Sequence, residues 1–132
     1  MLNQELLHAK YISFATLKRD GSMVGTPVWA GSEDNSLFVF SEADAGKVKR
    51  LRNFSRSTVA PCTATGRVTG NSYDCEAFLL ESDADIARAY KALNKKYGFL
   101  MRITDFFSKM TGRYDKRALI QIDVGEQAKP NS

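Results

Sequence analysis

KYISFATLKRDGSMVGTPVWAG, residues 10–31, decides the architecture. KYISFATLK, 10–18, alternates as a strand does. In RDGS, Asp20-Gly21 supplies the positive φ angles of a tight hairpin turn. MVGTPVWAG, 23–31, is the return strand; SEDNS is a second turn, and LFVFS, 37–41, a third strand. Together they read as an antiparallel meander.

The third strand runs into AGKVKRLRN. Gly46 to Phe54 reads as a short helix, with Val48 and Leu51 three apart on a side facing a sheet. STVAPCTA, 57–64, is a fourth strand, TGRVTGN, 65–71, a glycine-containing loop, and YDCEAFLLE, 73–81, a fifth strand with Tyr73, Cys75, Ala77 and Leu79 on one side. Ser82, with Asp85 three residues on, opens a helix over DADIARAYKALNKKY in the manner of a capping box. Ile86, Ala89, Tyr90 and Leu93 share one face, and Gly98 is a natural stop. FLMRITDFFSKM, 99–110, reads as a second helix or a helical loop whose aromatics meet the core or a partner. RALIQIDV, 117–124, is a last strand, and 125–132 a frayed tail. The order β-β-β-α-β-β-α-α-β, without a repeated βαβ unit, makes the chain mainly β (α+β). It predicts one domain over 1–124, an antiparallel barrel with helices packed outside.

Composition narrows the function. A chain of 132 residues fits one domain and buries roughly two-thirds of its unfolded surface, so it folds without disulfides. The start lacks a basic-then-apolar segment and no run reaches about 18 apolar residues, which predicts a cytoplasmic chain and no membrane span. Cys62 and Cys75 form no CxxC or Cys/His cluster, so they read as free buried thiols and no metal site is expected. His8 is the only histidine and falls in a short N-terminal helix, remote from any nucleophile's turn. GxGxxG and the P-loop are absent. The net charge of +4 is mostly one cluster, which suggests a local anion site rather than a track for a polyanion.

That cluster is Lys47, Lys49, Arg50 and Arg52. It is either a solvated face or, following a strand end through Ser41 and Gly46, a phosphate site at the start of a helix. Interleaved exposed aromatics are lacking and Glu42 and Asp44 crowd it, which argues against nucleic acid. Pro27, inside a strand, marks an edge or a bulge whose free backbone groups a ligand could use. Trp29, the only tryptophan, is a core or interface residue or a stacking platform.

ISFATLKRDGSMVGTPVWA, LFVFSEADAGKVKRLRN and STVAPCTATGRVTG together resemble the pyridoxamine-5′-phosphate-oxidase-like FMN-binding split-barrel proteins, and among them the deazaflavin F420-dependent class. The resemblance runs from about Lys10 to Val124. It implies a six-stranded antiparallel split β-barrel with flanking helices and a homodimer with cofactor sites at the interface. The cofactor would be F420 or FMN, with the balance toward F420. The resemblance places the cofactor phosphate at Ser41, Lys47 and Lys49, with Arg50 and Asn53 as further contacts. Thr26, Pro27, Val28 and Trp29 would border the ring, and Arg67 lies in the matching glycine loop. Ala45 stands where relatives carry serine, which removes one phosphate hydroxyl. The implied activity is hydride transfer between the cofactor and a small organic substrate, with no catalytic side chain identified. The alternative is a non-catalytic flavin- or haem-binding sensor or storage protein.

Overall fold

The structure, a computed structural model, describes residues 4–103, 117–124 and 130–131. After a short helix α1 (Gln4–His8) come β1 (Tyr11–Leu17), β2 (Met23–Val28), β3 (Ala30–Glu33) and β4 (Ser36–Glu42). Helix α2 (Gly46–Leu51) leads to β5 (Arg56–Cys62) and β6 (Ser72–Leu79). Helix α3 (Asp83–Tyr97) and β7 (Arg117–Val124) follow, and a two-residue β8 (Pro130–Asn131) pairs with Ser72 and Tyr73.

The sheet follows the path β2-β1-β5-β6-β7-β4-β3, with every neighbouring pair antiparallel. Its two end strands, β2 and β3, are separated in sequence by Trp29 alone. A path whose ends are one residue apart must curl round on itself, so the sheet is a split barrel. Seven strands lie along it where six were expected, because 23–31 is divided at Trp29 into a half that pairs with β1 and a half that pairs with β4. The β1–β2 turn lies where expected but is wider: of Asp20 and Gly21 only Gly21 has a positive φ, +91°, while Asp20 accepts hydrogen bonds from the backbone N–H and the hydroxyl of Ser22 at 2.9 and 2.6 Å.

The alternation of β1 buries Ile12, Phe14 and Thr16 inside the barrel. There Ile12 and Phe14 meet Val28, Val39, Val59, Tyr73, Ala77, Ile120 and Ile122. Each large apolar side chain so buried contributes on the order of 2 kcal/mol. β4 is buried on both faces because α3 lies over its outer side: Phe38 and Leu119 pack there with Ala89, Leu93, Tyr97 and Met101. α3 starts at Ser82, whose hydroxyl accepts from Asp85 N at 3.1 Å, and stops at Gly98 with φ +43°. It comes so close to the sheet that a Cβ on Gly31 would lie 2.6 Å from the Ala92 carbonyl.

Element ends shift by a few residues. α2 stops at Leu51 rather than Phe54, where Asn53 N and Phe54 N both close onto Arg50 O. β5 stops at Cys62 rather than Ala64 because Thr63 begins a turn, accepting from Gly66 N and donating to Arg67 O. The helix expected over 99–110 is present over 99–103; its remainder lies outside the described residues, as do 125–129 of the expected tail. Among the described residues no helix is long and apolar enough to cross a membrane.

Candidate functional site

The bend at Trp29 is built by the last turn of α3. Tyr97 Oη accepts from Ala30 N and donates to Lys10 O, each at 2.9 Å. Lys96 Nζ donates to Ala9 O at 2.8 Å and to Ala30 O at 2.9 Å. Two side chains thus tie the backbone at Ala30, just after the corner, to that of Ala9 and Lys10 ahead of β1. Burial pushes the Tyr97 hydroxyl up to about 12 and lowers the Lys96 ammonium from its ordinary value. The Trp29 ring stacks on Tyr97, with centroids 4.9 Å apart and planes 11° apart, and meets the Phe40 ring edge-on at 6.4 Å.

Beside this corner opens a cavity of about 330 Å³, lined by Tyr11, Pro27, Val28, Trp29, Phe40 and Lys47. Three of its six walls are aromatic. Among the described residues lining it the one charge, Lys47, comes from α2, which lies against β1 and β6 with Val48 and Leu51 buried. Arg50 pins that helix, its Nε donating to the buried Thr16 hydroxyl at 2.6 Å. Lys47 is half-buried, and its Nζ donates to Ser41 Oγ at 3.5 Å. Burial first, and then the positive charge of Arg50, lower the Lys47 ammonium from its ordinary value, against the opposing pull of Glu42. A partly desolvated ammonium with one weak neutral partner is a good receptor for an anion.

The expected site residues divide between two places. Pro27, Val28, Trp29 and Lys47 line the aromatic cavity, with Ser41 in contact through Lys47. Thr26 does not line it; its hydroxyl oxygen is buried and has no hydrogen-bond partner. Arg67 is exposed in a turn that approaches the cavity from outside, since a Cβ on Gly66 would lie 3.5 Å from the Pro27 ring. Lys49, Arg50 and Asn53 line a different cavity with Lys18, Arg19 and Asp20 of the β1–β2 turn. Helical geometry separates Lys49, since at about 100° per residue positions 47 and 49 point about 200° apart, while Arg50, about 60° from Lys47, is held by Thr16. Pro27 sits on an end strand, paired with Ser13, so its edge position and its place at the cavity coexist.

Tyr11, Phe40 and Tyr97 were not singled out from the sequence. Phe40 was within reach of it: the β3–β4 register pairs Ala30 with Val39, which puts Phe40 next to Trp29. Tyr97 contacts the corner from 67 residues away, and no local pattern announces that. Cys62 and Cys75 are both free and buried; burial, then the charges of Asp74, Glu76 and Asp123, push the Cys75 thiol up to about 12. Among the described residues no three His, Cys, Asp or Glu side chains are placed to hold a metal ion.

The sequence matches no protein-family model and no curated protein. Its fold matches solved structures. A FAD-binding protein from Mesorhizobium loti aligns with a TM-score of 0.67 at 18% identity, over 95% of this chain and 85% of that one. HutZ, the haem storage protein of Vibrio cholerae, aligns with 0.67 at 11% identity, over 93% and 87%. A proposed pyridoxamine 5′-phosphate oxidase from Listeria innocua aligns with 0.59 at 14% identity, over 92% and 87%. With its curled antiparallel sheet, its ends meeting at Trp29 and helices outside, the chain has the split-barrel fold of the pyridoxamine-5′-phosphate-oxidase-like proteins.

Proposed function

We propose that the chain binds a flavin-type cofactor in the aromatic cavity and acts as an oxidoreductase on a small organic substrate. The observation that carries this reading is the pairing of three aromatic walls with one half-buried lysine in a cavity of about 330 Å³. That size falls in the range of small-molecule sites, roughly 300–1,000 Å³. A planar ring with a phosphorylated side chain meets both chemistries. Lys47, with Ser41 behind it, holds the phosphate; a charge-assisted bond of this kind is worth about 1.5–3 kcal/mol. Tyr11, Trp29 and Phe40 flank the ring and exclude water, and Tyr97 keeps Trp29 in place. When bound, a flavin or deazaflavin supplies hydride transfer from its own ring. The fold neighbour that binds FAD supports a flavin; the resemblance of the AGKVKR segment supports F420.

The cofactor sites belong to a homodimer in this reading. Met23, Gly25 and Pro27 lie exposed on one side of the end strand β2, next to the cavity. A second copy seated there would close the cavity's open side.

The haem storage neighbour supports a second reading, binding without turnover. Among the described residues no histidine, cysteine or methionine lines the cavity, and Tyr11 is the lining side chain of a type that holds haem iron. Fluorescence titration of the apo-protein with FMN and with F420 separates the cases. Binding of either that weakens about tenfold in Lys47→Ala supports the proposal and names the cofactor. Binding of neither removes it. A haem absorption band that Tyr11→Phe abolishes would put the second reading first.

A further inference from the structure

The cavity on the other side of α2 is a separate feature. It is an open cleft of about 430 Å³ between the β1–β2 turn and α2, lined by Lys18, Arg19, Asp20, Lys49, Arg50 and Asn53. Four of these six residues are cations. The one carboxylate, exposed Asp20, is engaged within its own turn: it accepts two hydrogen bonds from Ser22, which lower its pKa from the ordinary value. Among the described residues, none of the four cations forms an ion pair. Like charges facing one another across a cleft repel unless an anion joins them.

One of the four is also fixed in direction. Thr16, fully buried inside the barrel, accepts from Arg50 Nε and so sets where the guanidinium lies. Gly46 makes room for it, since a Cβ there would lie 2.8 Å from Arg50 Nη1. A guanidinium held at Nε by a buried hydroxyl is fixed in place at the wall of the cleft, its outer nitrogens lying over Gly46 at the start of α2. Lys18 and Arg19 complete the opposite wall from a turn whose own geometry is set by Gly21.

We propose that this cleft is a second anion site, which takes a diphosphate-type group between the turn and α2. It is a different cavity from the aromatic one, since Lys47 lines that cavity and Lys49 and Arg50 line this one, although the charge of Arg50 also acts on Lys47. The group has two sources: the tail of a ligand whose ring lies in the aromatic cavity, or a free anion.

Inorganic pyrophosphate tests the site without any flavin. Titrated into the protein at constant ionic strength, it should give saturable amide chemical-shift changes at Lys18–Asp20 and Lys49–Asn53. Sodium chloride at the same ionic strength should not reproduce them. The double variant Lys18→Ala/Lys49→Ala, which removes two exposed side chains from opposite walls, should weaken pyrophosphate at least about tenfold. Shifts that follow ionic strength alone, or equal affinity in the variant, overturn the proposal. Repeating the titration with FMN and then FAD present assigns the source. Competition by FAD but not FMN identifies the tail of a dinucleotide; binding alongside both identifies a free anion. Competition by FMN itself would mean that the single phosphate sits here, and a second site would be ruled out. Failure of the flavin reading leaves the pyrophosphate result standing, so the two are distinguishable.

Discussion

Lys47 has its ammonium half out of water, beside Ser41 and repelled by Arg50. Its folded pKa lies below the ordinary 10.5, so the charged form costs stability at neutral pH, and that cost is relieved as pH rises toward 10.5. A phosphate reverses the sign by favouring the charged lysine. Affinity for FMN should therefore be level just above about pH 7, where the phosphate is dianionic, and fall as pH climbs toward the alkaline range. Proton uptake on binding, measured by calorimetry in two buffers of different ionisation enthalpy, should appear over that fall and vanish in Lys47→Met. Thr26 presents the opposite case, a buried hydroxyl with no partner. Leaving such a group unsatisfied costs about 1–3 kcal/mol, so Thr26→Val should raise the urea midpoint of the ligand-free protein. A lower midpoint would show that the hydroxyl has a partner in solution. At this scale the sequence was informative about residue types and weak on direction. Lys47 and Lys49 look equivalent in KVKR, and only the seating of α2 through Arg50 and Thr16 separates them.

α3 and β3 meet through a contact without side-chain padding. Gly31 has no Cβ, and the Ala92 carbonyl occupies the space where one would be. Gly31→Ala must push α3 off the sheet, which overpacking data place at about 1–3 kcal/mol. The expected readout is a lower thermal midpoint together with a change in Trp29 emission, since Tyr97 rides on the same helix; an unchanged midpoint would mean that the helix gives way freely. The elements themselves were legible wherever one local rule decided them. Alternation and Asp20-Gly21 mark β1 and β2, and Ser82 with Gly98 brackets α3. The break at Trp29 had only Pro27 two residues before it, which reads as an edge or a bulge and not as a division of the strand. VWAG is a continuous apolar run with no turn residue before its glycine, and the bend is imposed by Tyr97 and Lys96 from the far end of another helix. α2 was read three residues too long because KRLRN contains good helix formers up to Arg52, while the backbone of Asn53 and Phe54 folds back onto Arg50.

For the whole molecule, the barrel's curl leaves β2 at one end of the sheet with an exposed side of Met23, Gly25 and Pro27. In the dimeric reading that side is covered. Sedimentation or light scattering should then report twice the 14.7 kDa of the chain, and Gly25→Arg should return it to one. A monomeric wild type would remove the partner from the site. The barrel, with its antiparallel order, could be anticipated from the succession of strands and turns, whereas the meeting of its two ends at a single residue could not, since it depends on pairings between strands far apart in sequence. That meeting has an optical consequence. Trp29 is the only tryptophan, and it forms a wall of the aromatic cavity. The protein's entire indole emission therefore originates at the candidate site, so a bound chromophore that absorbs near that emission would act as an energy-transfer acceptor at contact distance. Occupancy can be followed on the unlabelled wild-type chain.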